Sequence, residues 1–131
     1  MILLDTHAWL WLATEPRRLS RAATSAIEEA VRLGGLAIAS VSLLEMAWLM
    51  SHGRLRFTGT SAAALARMVD ETGVHVRDIS PAIAVVMMEL LADLPGDPTD
   101  RLIAATARVE GLKLVTRDRR LRASRLVETV W

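Results

Sequence analysis

Five carboxylates stand where apolar runs give way to helices. Asp5 directly follows Ile2-Leu3-Leu4, Glu45 lies one turn into the helix after Leu36-Ala37-Ile38-Ala39, Asp97 and Asp100 open a later helix, and Asp118 closely follows the run ending at Val115. Each taken singly has a structural reading. Asp97-Pro98-Thr99-Asp100 matches a helix start with Asp97 as cap, and Ser42-Leu43-Leu44-Glu45 matches a capping box. Asp118 can cap the short segment after it, and Asp5 can turn onto the backbone of His7. Glu45 is harder to explain this way. It sits between Leu43-Leu44 and Met46-Ala47-Trp48-Leu49-Met50, where an unpaired buried carboxylate is costly. Two carboxylates about 4 Å apart repel by on the order of 4 kcal/mol at an effective dielectric near 20, so a convergent cluster calls for protons or a cation. Oxygen donors and a chain with no cysteine favour a hard ion, Mg²⁺ or Mn²⁺, which takes one or two carboxylates and leaves room for phosphate oxygens. One or two such ions activate a water for in-line attack on a phosphodiester and neutralise the leaving oxygen.

The elements that must position these residues alternate. Strands are expected at 2–4, 36–39, 74–79, 112–115 and 126–130. Helices are expected at 8–13, from Ser20 to Gly34-Gly35, from Ser40 or Ser42 to Ser51, at 61–72, from Ser80-Pro81 to before Pro95-Gly96, and from Asp97-Pro98 to Glu110; residues 117–122 form a turn or short helix. Parallel strands need crossovers and the crossovers are helices, so the pattern predicts one α/β domain over residues 1–131, with a central five-stranded parallel sheet covered on both faces. In such a sheet ligands bind outside the carboxyl ends of the strands, which is where the acids stand.

Composition narrows the class. A chain of 131 residues, 52% hydrophobic and 24% charged, is long enough to bury its own core without disulfides. The lack of cysteine excludes a thiol nucleophile and a cysteine zinc site, and fits a cytoplasmic protein. Asp5 and His7 interrupt the opening apolar run, and Glu45, Glu89 and Asp93 interrupt the later ones, so neither a signal peptide nor a membrane span is expected. The net charge of +1 comes from 16 basic and 15 acidic residues and hides a segregation. Lys113, Arg117, Arg119, Arg120, Arg122 and Arg125 crowd around Asp118, a basic rim suited to phosphate beside the acidic centre.

Asp5-Thr6-His7-Ala8, Ser42-Leu43-Leu44-Glu45, Asp97-Pro98-Thr99-Asp100-Arg101-Leu102-Ile103-Ala104-Ala105, Gly111-Leu112-Lys113-Leu114-Val115-Thr116-Arg117-Asp118 and Val130-Trp131 together resemble PIN-domain ribonucleases that act as VapC-type toxins. The resemblance spans the chain and implies a three-layer α/β/α fold and Mg²⁺- or Mn²⁺-dependent cleavage of RNA. It implies Asp5, Glu45, Asp100 and Asp118 as the metal and catalytic acids, Asp97 as a further ligand or a cap, and Thr116 as the hydroxyl that orients a site carboxylate or water. Arg117, Arg119, Arg120 and Arg122 are the RNA-contacting candidates. The implied partners are a homodimer mate and a VapB-like antitoxin with a cationic side chain reaching the carboxylates. The chain departs from the pattern at Pro95-Gly96 and Thr99, where relatives carry a basic residue and an aromatic one.

The remaining candidates carry more than one reading. His7 is a metal or phosphate ligand, or a packing or hydrogen-bonded neighbour, the latter favoured because hard ions prefer oxygen. Arg101 is expected to pair with a neighbouring carboxylate and hold the cluster in shape. Trp9, Trp11 and Trp48 read as core or oligomer packing, and the helix carrying Trp9 and Trp11 is apolar on nearly all sides, so dimerisation is expected to cover it. The alternative to a nuclease is a non-enzymatic receiver-like module with an acidic phospho-acceptor pocket. That module needs a lysine across the pocket, and Lys113 begins a strand instead of ending one. An Asp-nucleophile phosphatase needs a second carboxylate two residues on, where the chain has His7.

Overall fold

The apolar runs put a large side chain on one face of each strand and a smaller or different one on the other, and this alternation sorts the core. The computed structural model describes residues 1–94 and 96–131. Strands β1 (Ile2–Leu4), β2 (Leu36–Ala39), β3 (Val74–Arg77), β4 (Leu114–Val115) and β5 (Thr129–Val130) form one parallel sheet in the order β3-β2-β1-β4-β5. Leu4, Leu36, Ile38, Val74 and Val115 face one core, built with Trp9, Ile27, Met46 and Met68. Those residues come from α1 (Thr6–Thr14), α2 (Arg21–Leu33), α3 (Val41–Ser51) and α4 (Ser61–Thr72). Leu3, Ala37, Ala39 and Leu114 face the other core, with Ile83, Leu90, Ile103 and Leu121. That layer consists of α5 (Pro81–Glu89), α6 (Pro98–Glu110) and α7 (Arg119–Ser124). Ala37 and Ala39 meet the buried alanines 104, 105 and 107 of α6, so small residues on both sides let that helix lie close to the sheet. The expected α/β/α architecture is present.

Chain order explains where a site can form. The first two crossovers lay down β1, β2 and β3 in one direction, and the chain then returns to place β4 on the other side of β1. The β1/β4 boundary is therefore the switch point at which the crossovers part, leaving a crevice at the carboxyl ends of these two strands.

Local signals set most helix ends. Ser20, Ser80 and Asp97 accept from the backbone N–H groups of Ala23, Ile83 and Thr99 at 3.0, 3.2 and 2.9 Å, and Gly73 and Gly111 close α4 and α6 at φ +62° and +64°. Several expectations need correction. Helix α1 begins at Thr6, β3 stops at Arg77, and β4 and β5 contain two residues each because only these pair in the ladder. Helix α5 ends at Glu89 and is followed by turns that bury Leu90 and Leu94; the expected boundary residue Pro95 lies outside the described residues. Neither Ser40 nor Ser42 caps α3 through its side chain, and the capping box with Glu45 does not form, because Ser42 turns to Thr6 instead.

Helix α1 also needs no second copy to cover it. Trp9 is fully buried and its indole N–H donates to Thr72 Oγ1 at 2.9 Å, while Trp11 packs on Trp131 with ring centroids 5.5 Å apart. Ala8, Trp9 and Trp11 are thus buried inside their own chain, while Leu10 and Leu12 are half-buried. Trp48, by contrast, is 51% exposed, so it is not core packing. Among the described residues no helix is long and apolar enough to cross a membrane.

Candidate active site

Asp5 leaves β1 at the switch point. Its N–H donates to Val115 O at 3.0 Å, and its carboxylate caps α1 by accepting from Ala8 N–H at 2.7 Å. The Thr116 hydroxyl stands beside the carboxylate and pulls its pKa down, and it accepts from Asp118 N–H at 3.1 Å. Thr116 thus ties the ends of β1 and β4 together. Glu45, half-buried on α3, accepts from the Thr6 hydroxyl, which is also bonded to buried Ser42 at 2.9 Å. A threonine hydroxyl carries one proton, so with that proton on Glu45 the other bond is supplied by Ser42.

The other wall is built from helix starts. Asp97 caps α6, Asp100 sits in its first turn, and Asp118 caps α7 by accepting from Arg120 and Leu121 N–H groups at 2.8 and 3.1 Å. The Arg120 guanidinium lies 3.7 Å from Asp100 Oδ2 and 3.9 Å from Asp118 Oδ2. Gly96, at φ +120°, makes room for it: a Cβ there would stand 2.8 Å from Arg120 Nη1.

The two walls enclose a cleft of about 370 Å³ that brings together Asp5, Glu45, Asp97, Asp100 and Asp118, with Thr6, His7, Trp11, Ile103 and Arg117 completing its lining. Its electrostatics are those of crowded acids. Burial pushes the Asp5 carboxyl up against the pull of its Thr116 and Ala8 hydrogen bonds. Burial also raises Glu45, opposed by Thr6 and assisted by the charge of Asp97. Asp100 is pushed up to about 6, first by burial and then by Asp118, Asp97 and Glu45, with Arg120 pulling the other way. Among the described residues, no three His, Asp or Glu side chains stand close enough to enclose a metal ion by themselves. An all-oxygen donor set of mutually repelling acids nevertheless fits a hard cation held by one or two carboxylates, with water and a phosphate completing its shell.

Residues 2–125 match the family model described as the PIN domain. The chain belongs to the PIN-domain family. It is 42% identical to Ribonuclease VapC22 of Mycobacterium tuberculosis, over 99% of this chain and 98% of that protein. Among solved structures it shares its fold with VapBC2 from Rickettsia felis bound to a promoter DNA fragment (TM-score 0.73, 18% identity, 98% of this chain and 97% of that one). A DNA-bound VapBC from Salmonella typhimurium is similar to the same degree (TM-score 0.73, 19% identity, 98% and 97% coverage).

The arginines of this PIN domain are sorted differently from the sequence expectation. Arg101 does not pair with a carboxylate; its Nη1 donates to the Leu94 and Gly96 carbonyls, both at 3.1 Å, and so ties down the loop before α6. Arg120 is the arginine set against the acids. Arg117 lines the cleft, whereas Arg119 and Arg122 line a neighbouring groove with Trp131. His7 is exposed at the cleft with its ring 5.8 Å from that of Trp11. Lys113 pairs with Glu128 at 2.8 Å at the opposite end of β4, too far from the cleft to serve a receiver-like pocket. Thr6, Ser42 and Gly96 carry no sequence signal for their roles, since each acts through a partner distant in the chain.

Proposed function

We propose that this PIN domain, acting as one domain over its length, is a metal-dependent endoribonuclease and the toxin of a VapBC-like toxin-antitoxin pair working in the cytoplasm. The observation that carries the reading is the convergence of five carboxylates from four separate segments on one cleft at the β1/β4 switch point. The full-length identity to a protein named as a ribonuclease supports RNA as the substrate.

Asp5, Glu45, Asp100 and Asp118 would hold Mg²⁺ or Mn²⁺, with Asp97 at the edge. When bound, the ion supplies the charge that makes a water nucleophilic near neutral pH and stabilises the departing oxygen. The chain's own residues do the rest. Thr116 and the α1 amide fix the Asp5 carboxylate, Thr6 fixes Glu45, and both hold before substrate arrives, so orientation needs no reorganisation at the reacting centre. Arg117, exposed on the cleft wall, receives a phosphate oxygen. A VapB-like antitoxin fits the same acids through a cationic side chain, and the structural neighbours include a toxin-antitoxin complex from Klebsiella pneumoniae. Val85, Met88 and Leu91, exposed on and just after α5, offer an apolar face for a homodimer mate.

Asp5→Asn tests the reading, because asparagine caps a helix as well as aspartate does and only the charge is lost. Cleavage of RNA in Mg²⁺ should fall by about a hundredfold or more, the scale of losing one preorganised group at a reacting centre, with the thermal midpoint little changed. Undiminished cleavage by this variant, or by the parent in EDTA, would sink the proposal.

A further inference from the structure

We infer that the groove next to the cleft is a track for the RNA strand, in which Arg119 and Arg122 hold phosphates beyond the cleavage point; this rests on the ribonuclease reading above. The groove, about 510 Å³, is lined by Arg119, Arg122 and Trp131. Trp131 packs on Trp11, and Trp11 lines the cleft, so the walls of the two spaces meet at one aromatic pair. Arg117 lines the cleft, 5.8 Å from the Trp11 ring centroid.

Charge argues for the occupant. Arg117, Arg119 and Arg122 are exposed, and among the described residues none of them has a carboxylate within 4.0 Å. Arg120, in the same segment, has its charge set against Asp100 and Asp118. The cleft is therefore negative and repels a polyanion, while unneutralised guanidinium groups begin at its wall and continue into the next groove. Guanidinium groups bind phosphate with paired hydrogen bonds, and a cationic path leading from a catalytic centre gives a strand both its affinity and its direction. An acidic protein segment is the competing occupant, and the test separates it.

The Asp5→Asn chain, which binds without cutting, is titrated with fluorescent single-stranded RNAs at several salt concentrations, alone and with Arg119→Ala/Arg122→Ala added. For an RNA of about twelve nucleotides the added pair should weaken binding about tenfold and flatten the slope of log affinity against log salt by about 1.4, near 0.7 for each phosphate that goes unneutralised. An RNA of about three nucleotides, confined to the cleft, should change less than about twofold. Equal binding of the longer RNA, or weakened binding with an unchanged salt slope, overturns the track. If the double variant instead keeps its RNA affinity and loses affinity for a polyglutamate peptide, the groove belongs to a protein partner and the inference is wrong. If the Asp5→Asn chain binds RNA of neither length, the ribonuclease reading itself fails.

Discussion

Asp5 and Glu45 are gripped by neutral donors: an amide at 2.7 Å and the hydroxyls of Thr116 and Thr6. Across the cleft Asp118 is likewise held, by the Arg120 and Leu121 amides at 2.8 and 3.1 Å, whereas Asp100 faces the Arg120 guanidinium at 3.7 Å, whose own side chain is 64% exposed. Hydroxyl and amide donors hold a carboxylate's orientation whatever the salt, and removing them from a buried site is expensive. An exposed ion pair at that separation is screened and contributes little. The wall of Asp5 and Glu45 is thus fixed throughout by hydrogen bonds, and the opposite wall is adjustable at Asp100.

The fixed wall is the place for the largest effect. Thr6→Val keeps the side-chain shape but removes the hydrogen-bond donor to Glu45 and strands Ser42, so it should cost about 2–3 kcal/mol of unfolding free energy and slow cleavage more than about tenfold. Urea midpoints and single-turnover rates check this together. A variant as stable and as fast as the parent would show that the floor is not built on Thr6.

On the adjustable wall, Asp100 gives the intermediate effect. Its folded pKa of about 6 stands above the ordinary aspartate value of 3.8. Between those two values the folded chain keeps a proton that the unfolded chain has released, so stability falls as pH rises through the window and the loss is complete above about pH 6. In EDTA, Asp100→Asn should therefore be more stable than the parent by on the order of 1–2 kcal/mol at about pH 7.5, after discounting for solvent screening, and gain nothing at about pH 3.5. Paired thermal melts at the two pH values measure it. A gain that is the same at both would assign the effect to something other than the crowded charge.

Arg120→Gln should give the smallest change. With the guanidinium gone, the divalent cation no longer shares its carboxylates with a positive neighbour, and Mn²⁺ binding by calorimetry should tighten about three- to fivefold. Weaker binding would mean that Arg120 holds the rim in its binding shape.

The layers and the helix ends are legible in the sequence because their causes are local. Ser20, Ser80 and Asp97 cap through bonds two or three residues away, and the two-residue alternation that separates Leu3 from Leu4 and Ala37 from Ile38 lies in the sequence itself. The acids are legible for a related reason: each follows a strand or opens a helix, and in a parallel sheet those places converge. Choices among distant partners are not. Ser42 matches a capping box in sequence, yet it lies inside α3 and pairs with Thr6, 36 residues away. Arg101 lies next to Asp100 in sequence, yet Arg120, arriving from α7, sits against that acid because Gly96 leaves it space. Trp9 and Trp48 both lie on largely apolar helices, and only the fold shows which one is interior: Trp9 is fully buried and Trp48 is half exposed.

The order of the strands has a consequence in time. During synthesis, a nascent chain extending only through α5 already contains Asp5 and Glu45, but it lacks Asp100, Asp118 and the strand whose Val115 carbonyl receives the Asp5 amide. No cleft exists at that stage. The fold thereby postpones its own chemistry until α6, β4 and the start of α7 have been made, and a translation product that stops at the end of α5 lacks three of the five acids of the cleft.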